Sequence, residues 1–240
     1  MGEISKFIST AWKVYKKNFW QILIALILVN VVSLIPLGIG FLVSPLVLFS
    51  FPTFSLTNLL ASGSALIVGF VLTILLSTLF TVSMLSFYGE ALKKKPKIKT
   101  IFLTLKKFWL EIIILNLIVG LCLLALFGLL ELPAFFLVKS NMTFALAWFF
   151  IALIPFSLIS ILFSFSNFYL ILKKRRILES IRKSIRLVKK NYLQVLGIVV
   201  IFVILAGLVS FIPYAGALIN LFLINPLQTL TFVVFFSRKG

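Results

Sequence analysis

The hydrophobic positions of the chain fall into six long runs, joined by shorter polar or basic connections. The runs cover residues 19–43, 65–88, 108–130, 143–172, 192–212 and 214–236. Each reaches the roughly 20 residues that an α-helix needs to cross a hydrocarbon core of about 30 Å. The pattern predicts an all-α polytopic membrane protein, with six transmembrane helices forming three hairpins in a single domain over residues 1–240.

A segment of different periodicity precedes each hairpin, at residues 4–17, 98–107 and 177–190. Apolar residues recur there every three or four positions, with lysines, arginines and serines between them, as is typical of an amphipathic helix. We expect the three helices to lie in the cytoplasmic interface of the membrane. Their apolar faces should dip into the headgroup boundary, and their basic and serine residues should take the opposite face.

These segments also resemble one another. Lys189-Lys190-Asn191-Tyr192 matches Lys16-Lys17-Asn18-Phe19, and Lys106-Lys107-Phe108-Trp109 is a weaker copy without the asparagine. The two asparagines are expected to be hinge or cap residues, where an interfacial helix turns into a span.

The copies predict three repeat units, approximately 1–97, 98–176 and 177–240, each a cytoplasmic amphipathic helix followed by a hairpin. Because each unit crosses the membrane twice, all three should enter it in the same direction, as parallel repeats.

Composition agrees with a membrane protein. Hydrophobic residues make up 62% of the chain, charged residues only 12%, and the mean hydropathy is +1.23. Such a chain cannot dissolve as a globule. No signal peptide is visible, so we expect the first span to remain attached. The single cysteine, Cys122, lies within an apolar run, which predicts neither a disulfide framework nor a thiolate metal site.

The charges are segregated along the chain. The net charge is +18, and all but one of the 23 basic residues lie in the N-terminal segment, in 93–107, in 173–190 or at the C-terminus. With six crossings these clusters share one face and Lys139 lies on the other. The positive-inside rule then predicts a multi-pass protein of the cell membrane with both termini cytoplasmic. Nucleic acid is not expected as a partner, because the charges follow the membrane rim without a separate soluble domain.

Membrane lipids are the partners that this pattern favours, especially the anionic lipids of the inner leaflet. Each basic residue near such a surface contributes up to about 1 kcal/mol. The alternative is that the same charges merely anchor and orient the spans. A protein partner or a homo-oligomer stays open. The residues expected to contact lipid headgroups are Lys13, Lys16, Lys17, Lys106, Lys107, Arg182, Lys183, Arg186, Lys189 and Lys190.

Catalytic chemistry is not predicted. The chain has no histidine and no aspartate, and its acidic residues are Glu3, Glu90, Glu111, Glu131 and Glu179. From these residues the sequence assembles no carboxylate pair, metal cluster, base-activated nucleophile or phosphate-binding glycine loop. We therefore expect no catalytic residue, cofactor or metal ion. The same inventory argues against proton or sodium coupling through a mid-membrane carboxylate.

Neutral polar residues do occur within the runs, together with Pro155 and Pro226. They are Asn30, Asn116, Asn167, Asn220, Asn225 and Gln228. One hypothesis is that they form hydrogen bonds between helices or to carbonyls freed by the prolines. The other is that Asn220, Asn225 and Gln228, around the break at Pro226, line a polar pocket or path.

Two functions remain from the sequence. The first is a non-enzymatic membrane protein that organises the inner leaflet or supports a partner. The alternative is a transporter of a small solute or lipid that uses the polar break in the sixth span.

The order of these features resembles a known family. A basic amphipathic helix, Lys-Lys-Asn followed by Phe or Tyr, six spans, and late Ile212-Pro213 and Asn225-Pro226-Leu227 segments are similar to a six-helix membrane-protein family. That family includes the membrane domain fused to some glycerophosphodiester phosphodiesterases. The resemblance implies a membrane domain of unsettled activity. The chain contains no phosphodiesterase barrel, so no active-site residue is assigned from the resemblance.

Overall fold

A computed structural model of the protein describes residues 2–49, 56–138, 142–213 and 215–240. Helices account for most of these residues. They are α1 Gly2–Lys17, α2 Phe19–Phe49, α3 Leu56–Ala91, α4 Lys99–Val138, α5 Met142–Ser160, α6 Ser166–Leu172, α7 Ile177–Lys190, α8 Tyr192–Ser210, α9 Ala215–Ile219 and α10 Asn225–Lys239. A 3-10 turn, Ile161–Phe163, lies between α5 and α6, and a π-helical segment, Asn220–Ile224, lies between α9 and α10.

Six stretches in this part of the chain are long and apolar enough to cross a membrane, which confirms the predicted all-α multi-pass fold. They are Phe19–Ser44, Gly63–Ala91, Lys99–Ala134, Met142–Leu172, Tyr192–Ser210 and Ala215–Lys239. We call them spans one to six. Lys139, the basic residue predicted to lie on the outer face, is outside the described residues.

Asparagine separates an amphipathic helix from its span in two of the three places. Asn191 lies between α7 and α8 with φ −125° and ψ 30°, and its side-chain Nδ2 donates to the Leu187 carbonyl at 3.0 Å. Its short polar side chain competes for helical backbone groups, so the chain leaves the helix for one residue. Asn18 likewise interrupts the helix between α1 and α2 and is buried. The predicted hinges are confirmed.

The third copy differs from the prediction. Residues 98–107 were expected to form a separate interfacial helix, but α4 begins at Lys99 and continues without a break through Phe108 to Val138. Phe108 stands where the other copies have asparagine, and its side chain offers no polar group to replace the helical backbone bonds. The amphipathic segment is therefore the first part of span three rather than a helix of its own.

Contacts divide the chain into two compact units: residues 18–107, and residues 1–17 together with 108–240. Within the first unit, α2 and α3 approach closely at two glycines. A Cβ on Gly40 would lie 3.0 Å from the Ala65 carbonyl oxygen, and one on Gly69 would lie 2.8 Å from that of Pro36. Small residues are required where two membrane helices pack this closely.

The end of α3 packs against the start of α4 in the same unit. The Thr104 hydroxyl donates to the Ser86 hydroxyl at 2.8 Å, and the Phe80 and Phe102 rings meet edge to face at 5.8 Å. The Glu90 carboxylate accepts the Thr100 hydroxyl at 2.7 Å. The amphipathic part of α4 is thus fixed to the end of the preceding span.

Corresponding contacts occur in the second unit, where α1 packs on α10 and α7 packs on α6 and the 3-10 turn. The Phe7 ring meets the Phe235 ring at 5.5 Å, edge to face. Glu3 forms a salt bridge of 3.5 Å with Lys239. The N-terminal helix and the last turn of α10 therefore lie together, so both ends of the chain lie at the same end of this unit.

Burial follows the register of the predicted repeats. When the three Lys-Lys pairs at 16–17, 106–107 and 189–190 are superimposed, three equivalent positions are fully buried in every copy. These positions are Ala11, Ile101 and Ser184; Ile22, Ile112 and Val195; and Ala25, Leu115 and Ile198. Helices that bury equivalent positions turn the same face toward the protein interior. The shared register supports a threefold internal repeat, whose exact unit boundaries stay a prediction.

We expect Lys139 to face the outside, because the basic clusters are predicted to share the inner side. A cysteine placed at Lys139 in a Cys122→Ser background should react with an impermeant thiol reagent added outside intact cells. A cysteine at Lys95 should react only after the membrane is opened. The opposite labelling of the two positions would show that the orientation is inverted.

Candidate functional site

The sixth span departs from α-helical geometry in the middle. Helix α9 ends at Ile219, the π-helical segment follows, and Pro226 occupies the first turn of α10. Proline has no N–H to donate and its ring crowds the carbonyl four residues earlier, so the Phe222 carbonyl loses its helical partner. In hydrocarbon a carbonyl without a partner costs several kcal/mol. The predicted irregularity beside Pro226 is present as the π-helical segment, although the helix continues through it, and the Phe222 carbonyl needs a hydrogen-bond donor from outside the span.

Tyr15 of α1 is that donor. Its hydroxyl donates to the Phe222 carbonyl oxygen at 2.7 Å. Tyr15 is almost fully buried, and burial raises the pKa of its phenol, so the proton needed for this bond is retained at any physiological pH. The freed carbonyl is therefore bonded to the docked N-terminal helix.

The fourth span also departs from α-helical geometry, but not at the predicted Pro155, which lies inside the continuous helix α5. The 3-10 turn Ile161–Phe163 interrupts it, and Phe165 has φ −99° and ψ 6°, outside helical geometry. Ser184 of α7 is fully buried against this turn. Its hydroxyl donates to the Leu162 carbonyl at 2.7 Å and accepts the Phe165 N–H at 3.1 Å. One serine thus satisfies two backbone groups that the interrupted helix leaves over.

The prediction that serines take the polar face is therefore wrong for α7. Ser180 and Ser184 are both fully buried, and together with Leu187 and Val188 they form the face that packs inward. The expected apolar face consisted of Ile177, Ile181, Ile185, Val188 and Tyr192. Of these only Val188 is fully buried, and the others are half-buried. Small hydroxyl residues occupy the centre of the buried face of α7, because they allow the helix to approach span four closely and form hydrogen bonds with its irregular backbone.

The apolar face of α1 also differs from the expectation. Phe7, Ala11 and Tyr15 are buried against protein rather than dipped into headgroups. Trp12, at the margin of the helix, and Trp20, at the start of α2, remain exposed. The aromatic surface that stays exposed in this region is therefore confined to the margin of α1 and the start of α2.

The predicted headgroup residues lie on the opposite faces. All of them are exposed except Lys183, which is half-buried and bound to Glu179 at 2.9 Å. Arg175 lies 3.3 Å from the same carboxylate. The hydrogen bond from Lys183 and the nearby positive charges hold the pKa of Glu179 below its usual value. Docking therefore leaves a basic outer surface on both helices.

Two asparagines join spans three and four. The Asn167 Nδ2 donates to Asn116 Oδ1 at 3.1 Å, and the Asn116 Nδ2 donates back to Asn167 Oδ1 at 3.4 Å. Asn116 also donates to the Ile112 carbonyl at 2.8 Å. The hypothesis of hydrogen bonding between helices is confirmed for this pair. Asn30, by contrast, bonds the Leu26 carbonyl of its own helix at 2.8 Å.

The residues of the predicted polar pocket are in different surroundings. Asn220 donates to the Ser210 hydroxyl at 3.1 Å and to the Ala206 carbonyl at 3.3 Å, both on α8. Asn225 is exposed and Gln228 is half-buried. Within the described residues the three side chains do not form one hydrogen-bonded network. The Asn220 Oδ1 is buried without a hydrogen bond in that part of the chain.

Comparison with known proteins gives one match. The family model described as a domain of unknown function, DUF7847, covers residues 95–237. No curated protein and no solved structure matches the chain. The matched region contains both broken spans and α7. It carries no link to the glycerophosphodiester phosphodiesterase fusions, so that part of the resemblance is not shown.

Replacing Tyr15 with phenylalanine should lower the free energy of unfolding by about 1–3 kcal/mol, because the half-buried Phe222 carbonyl loses its donor while packing is kept. Thermal unfolding in detergent would measure the effect.

Tyr192→Phe is the matched control, since the Tyr192 hydroxyl also bonds a carbonyl, that of Leu158 at 3.1 Å, but in an exposed position. The Tyr192 variant should lose less stability than the Tyr15 variant. Equal losses would show that the Phe222 carbonyl does not depend on Tyr15.

Proposed function

We propose a function for this chain, which belongs to the DUF7847 family of domains of unknown function and is here a multi-pass membrane protein. It is a non-enzymatic binder and organiser of the anionic inner leaflet. One observation carries the proposal. The amphipathic helices α1 and α7 dock on the spans through their buried faces, and the lysines and arginines on their other faces are exposed.

Docking gives the charges a fixed position relative to the membrane. A free amphipathic helix buries its apolar face in lipid, but α1 and α7 bury theirs against the ends of spans six and four. Their basic residues are then held at the level where those spans leave the hydrocarbon. At up to about 1 kcal/mol for each basic residue near an anionic surface, several together give a clear preference for anionic lipid.

Aromatic residues next to these charges support an interfacial position. Trp12 and Trp20 are exposed on α1 and at the start of α2, and the Lys16 Nζ lies 4.9 Å from the centre of the Trp12 ring. Tryptophan is enriched at the membrane–water boundary because its ring is amphipathic. We place this surface on the cytoplasmic side, by the positive-inside rule.

Lipid binding would also act on the broken spans. Tyr15 and Ser184 connect the basic helices directly to backbone groups of the breaks in spans six and four. A leaflet that holds the basic faces in place therefore favours the hydrogen bonds that Tyr15 and Ser184 form with the two spans. Loss of anionic lipid should weaken these contacts, which gives a membrane-organising or partner-supporting protein a way to respond to the leaflet.

The proposal predicts selective contact with anionic lipid. In a Trp109→Phe and Trp148→Phe background, brominated phosphatidylglycerol should quench Trp12 and Trp20 fluorescence more than brominated phosphatidylcholine at the same mole fraction. Replacing Lys13, Lys16 and Lys17 with glutamine should reduce this difference, and so should added salt, because exposed charges are screened. Equal quenching by the two lipids in the parent protein would contradict the proposal.

A transporter is the second candidate, supported by the π-helical segment and by the buried Oδ1 of Asn220 beside it. Discontinuous helices are where many transporters bind their substrates. The exposed amide of Asn225, one residue before the proline, is the polar group that a transport path could use.

The two candidates differ in what Asn225→Leu should do. Under the leaflet-binding proposal, proteoliposomes should show no lipid scrambling and no solute-driven swelling beyond that of empty vesicles, with or without Asn225. As a control, Asn220→Leu should cost about 0.6–2 kcal/mol of stability, because it removes hydrogen bonds to α8. Transport that is lost in a fully folded Asn225→Leu variant would favour the transporter.

A further inference from the structure

A groove of about 570 Å³ opens at the inner end of span four, within the unit that contains residues 108–240. Its walls come from α4, from the end of α6 and from the turn that leads into α7. The volume lies in the range of sites that hold a small ligand or part of a lipid. Span four ends at Leu172, so the turn at residues 173–176 lies at headgroup level and the groove extends from there toward the hydrocarbon.

The lining is divided between apolar and charged groups. Phe108 and Leu178 form the apolar wall, with the fully buried Leu170 behind them. Leu178 is 62% exposed although it stands at the start of a docked helix. Lys174, Arg175 and Arg176 form a basic rim beside them. An apolar channel that ends in a cluster of cations matches an acyl chain attached to a phosphate.

Lys174 is held in the groove by an unusual backbone conformation. Its φ is +51°, and it is the only non-glycine residue with a positive φ among those described. Glycine takes this conformation without strain, whereas a side chain adds a steric cost. The Arg175 N–H donates to the Tyr169 carbonyl at 3.2 Å and fixes the turn. A left-handed residue is common directly after a helix C-cap, but it is usually glycine. A lysine at this position adds a cation to the lining of the groove, which is a reason to look for a ligand there.

The charges of the rim differ in their protein partners. Glu179 forms salt bridges with Arg175 and Lys183, and the positive charge of Arg176 also acts on it. Lys174 and Arg176 form no direct salt bridge with any described residue. Glu111 lines the same groove, and its carboxylate accepts no hydrogen bond from a described residue. The groove therefore offers two cations for a phosphate and one carboxylate that can accept a hydroxyl group.

We propose that this groove binds one anionic phospholipid whose headgroup carries a hydroxyl group. The phosphate lies between Lys174 and Arg176, since lysine and arginine form charge-assisted hydrogen bonds with phosphate oxygens. A headgroup hydroxyl donates to Glu111, and an acyl chain lies along Phe108 and Leu178. This site rests on the proposed inner-leaflet function and adds to it a defined place, stoichiometry and lipid chemistry.

Native mass spectrometry of the full chain in detergent can test the site, using dioleoyl phosphatidylglycerol, phosphatidylcholine, phosphatidylethanolamine and inorganic phosphate as separate probes. We expect one retained phosphatidylglycerol per chain, about tenfold weaker retention of the other two lipids, and no displacement by millimolar phosphate. Equal retention of all three lipids would overturn the site. So would displacement by phosphate, because the apolar wall would then contribute nothing.

Variants separate binding from folding. Lys174→Gly should reduce phosphatidylglycerol retention about tenfold, at roughly 1 kcal/mol or more for the lost cation. Its melting temperature should stay level or rise, because glycine removes the backbone strain. Arg176→Gln should reduce retention to a similar extent. Glu111→Ala should weaken phosphatidylglycerol more than dioleoyl phosphatidic acid, which has no headgroup alcohol.

The matched control removes two charges from the equivalent turn between spans two and three, as Lys95→Gln with Lys97→Gln. Phosphatidylglycerol retention should be unchanged. A loss equal to that of Lys174→Gly with Arg176→Gln would show diffuse attraction only, which overturns the groove but leaves the proposed leaflet binding intact. If the bromolipid experiment also shows no preference for the anionic lipid, the proposed function fails as well.

Discussion

Backbone hydrogen bonding in hydrocarbon is the constraint on which this structure depends. A membrane helix satisfies its own N–H and C=O groups, and each interruption leaves groups that neither lipid nor water can serve. Spans four and six are both interrupted, and in both cases a docked amphipathic helix supplies the missing partner. The Tyr15 hydroxyl donates to the Phe222 carbonyl. The Ser184 hydroxyl donates to the Leu162 carbonyl and accepts the Phe165 N–H. The amphipathic helices are therefore part of the transmembrane fold.

This constraint also explains why the inward faces of these helices are not simply apolar. A helix that only floats on lipid would place leucine and isoleucine at the centre of its buried face. In α7 the centre is Ser180 and Ser184, and the isoleucines lie at the margin. Interactions with the span thus decide which residues face inward, and the basic residues keep the outer face because they have nothing to bond inside.

The end of span four combines these requirements in one place. The chain must end α6, turn and begin α7, and it does so through four consecutive basic residues, one of them in a left-handed conformation. Headgroup level is where such charges are least costly, because water and phosphate are both within reach. The same turn borders an apolar groove, so a lipid bound there would contact α4, α6 and α7 at once.

The sequence by itself determined the number of spans, the all-α class, the hinge at Asn191 and the break at Pro226, because each follows from local chemistry. Run length, proline geometry and the short polar side chain of asparagine need no tertiary partner to act. The missing asparagine at Phe108 was visible too, and its consequence, an uninterrupted α4, could have been inferred from it.

Only the tertiary structure decided that Tyr15 reaches Phe222, that Ser184 fills the break in span four, and that Asn116 pairs with Asn167. Tyr15 and Phe222 are 207 residues apart in the chain, Ser184 and Leu162 are 22 apart, and Asn116 and Asn167 are 51 apart. No periodicity of the sequence relates the two members of any pair. Which polar side chain meets which freed backbone group depends on how helices dock, and docking is set by packing over the whole buried surface.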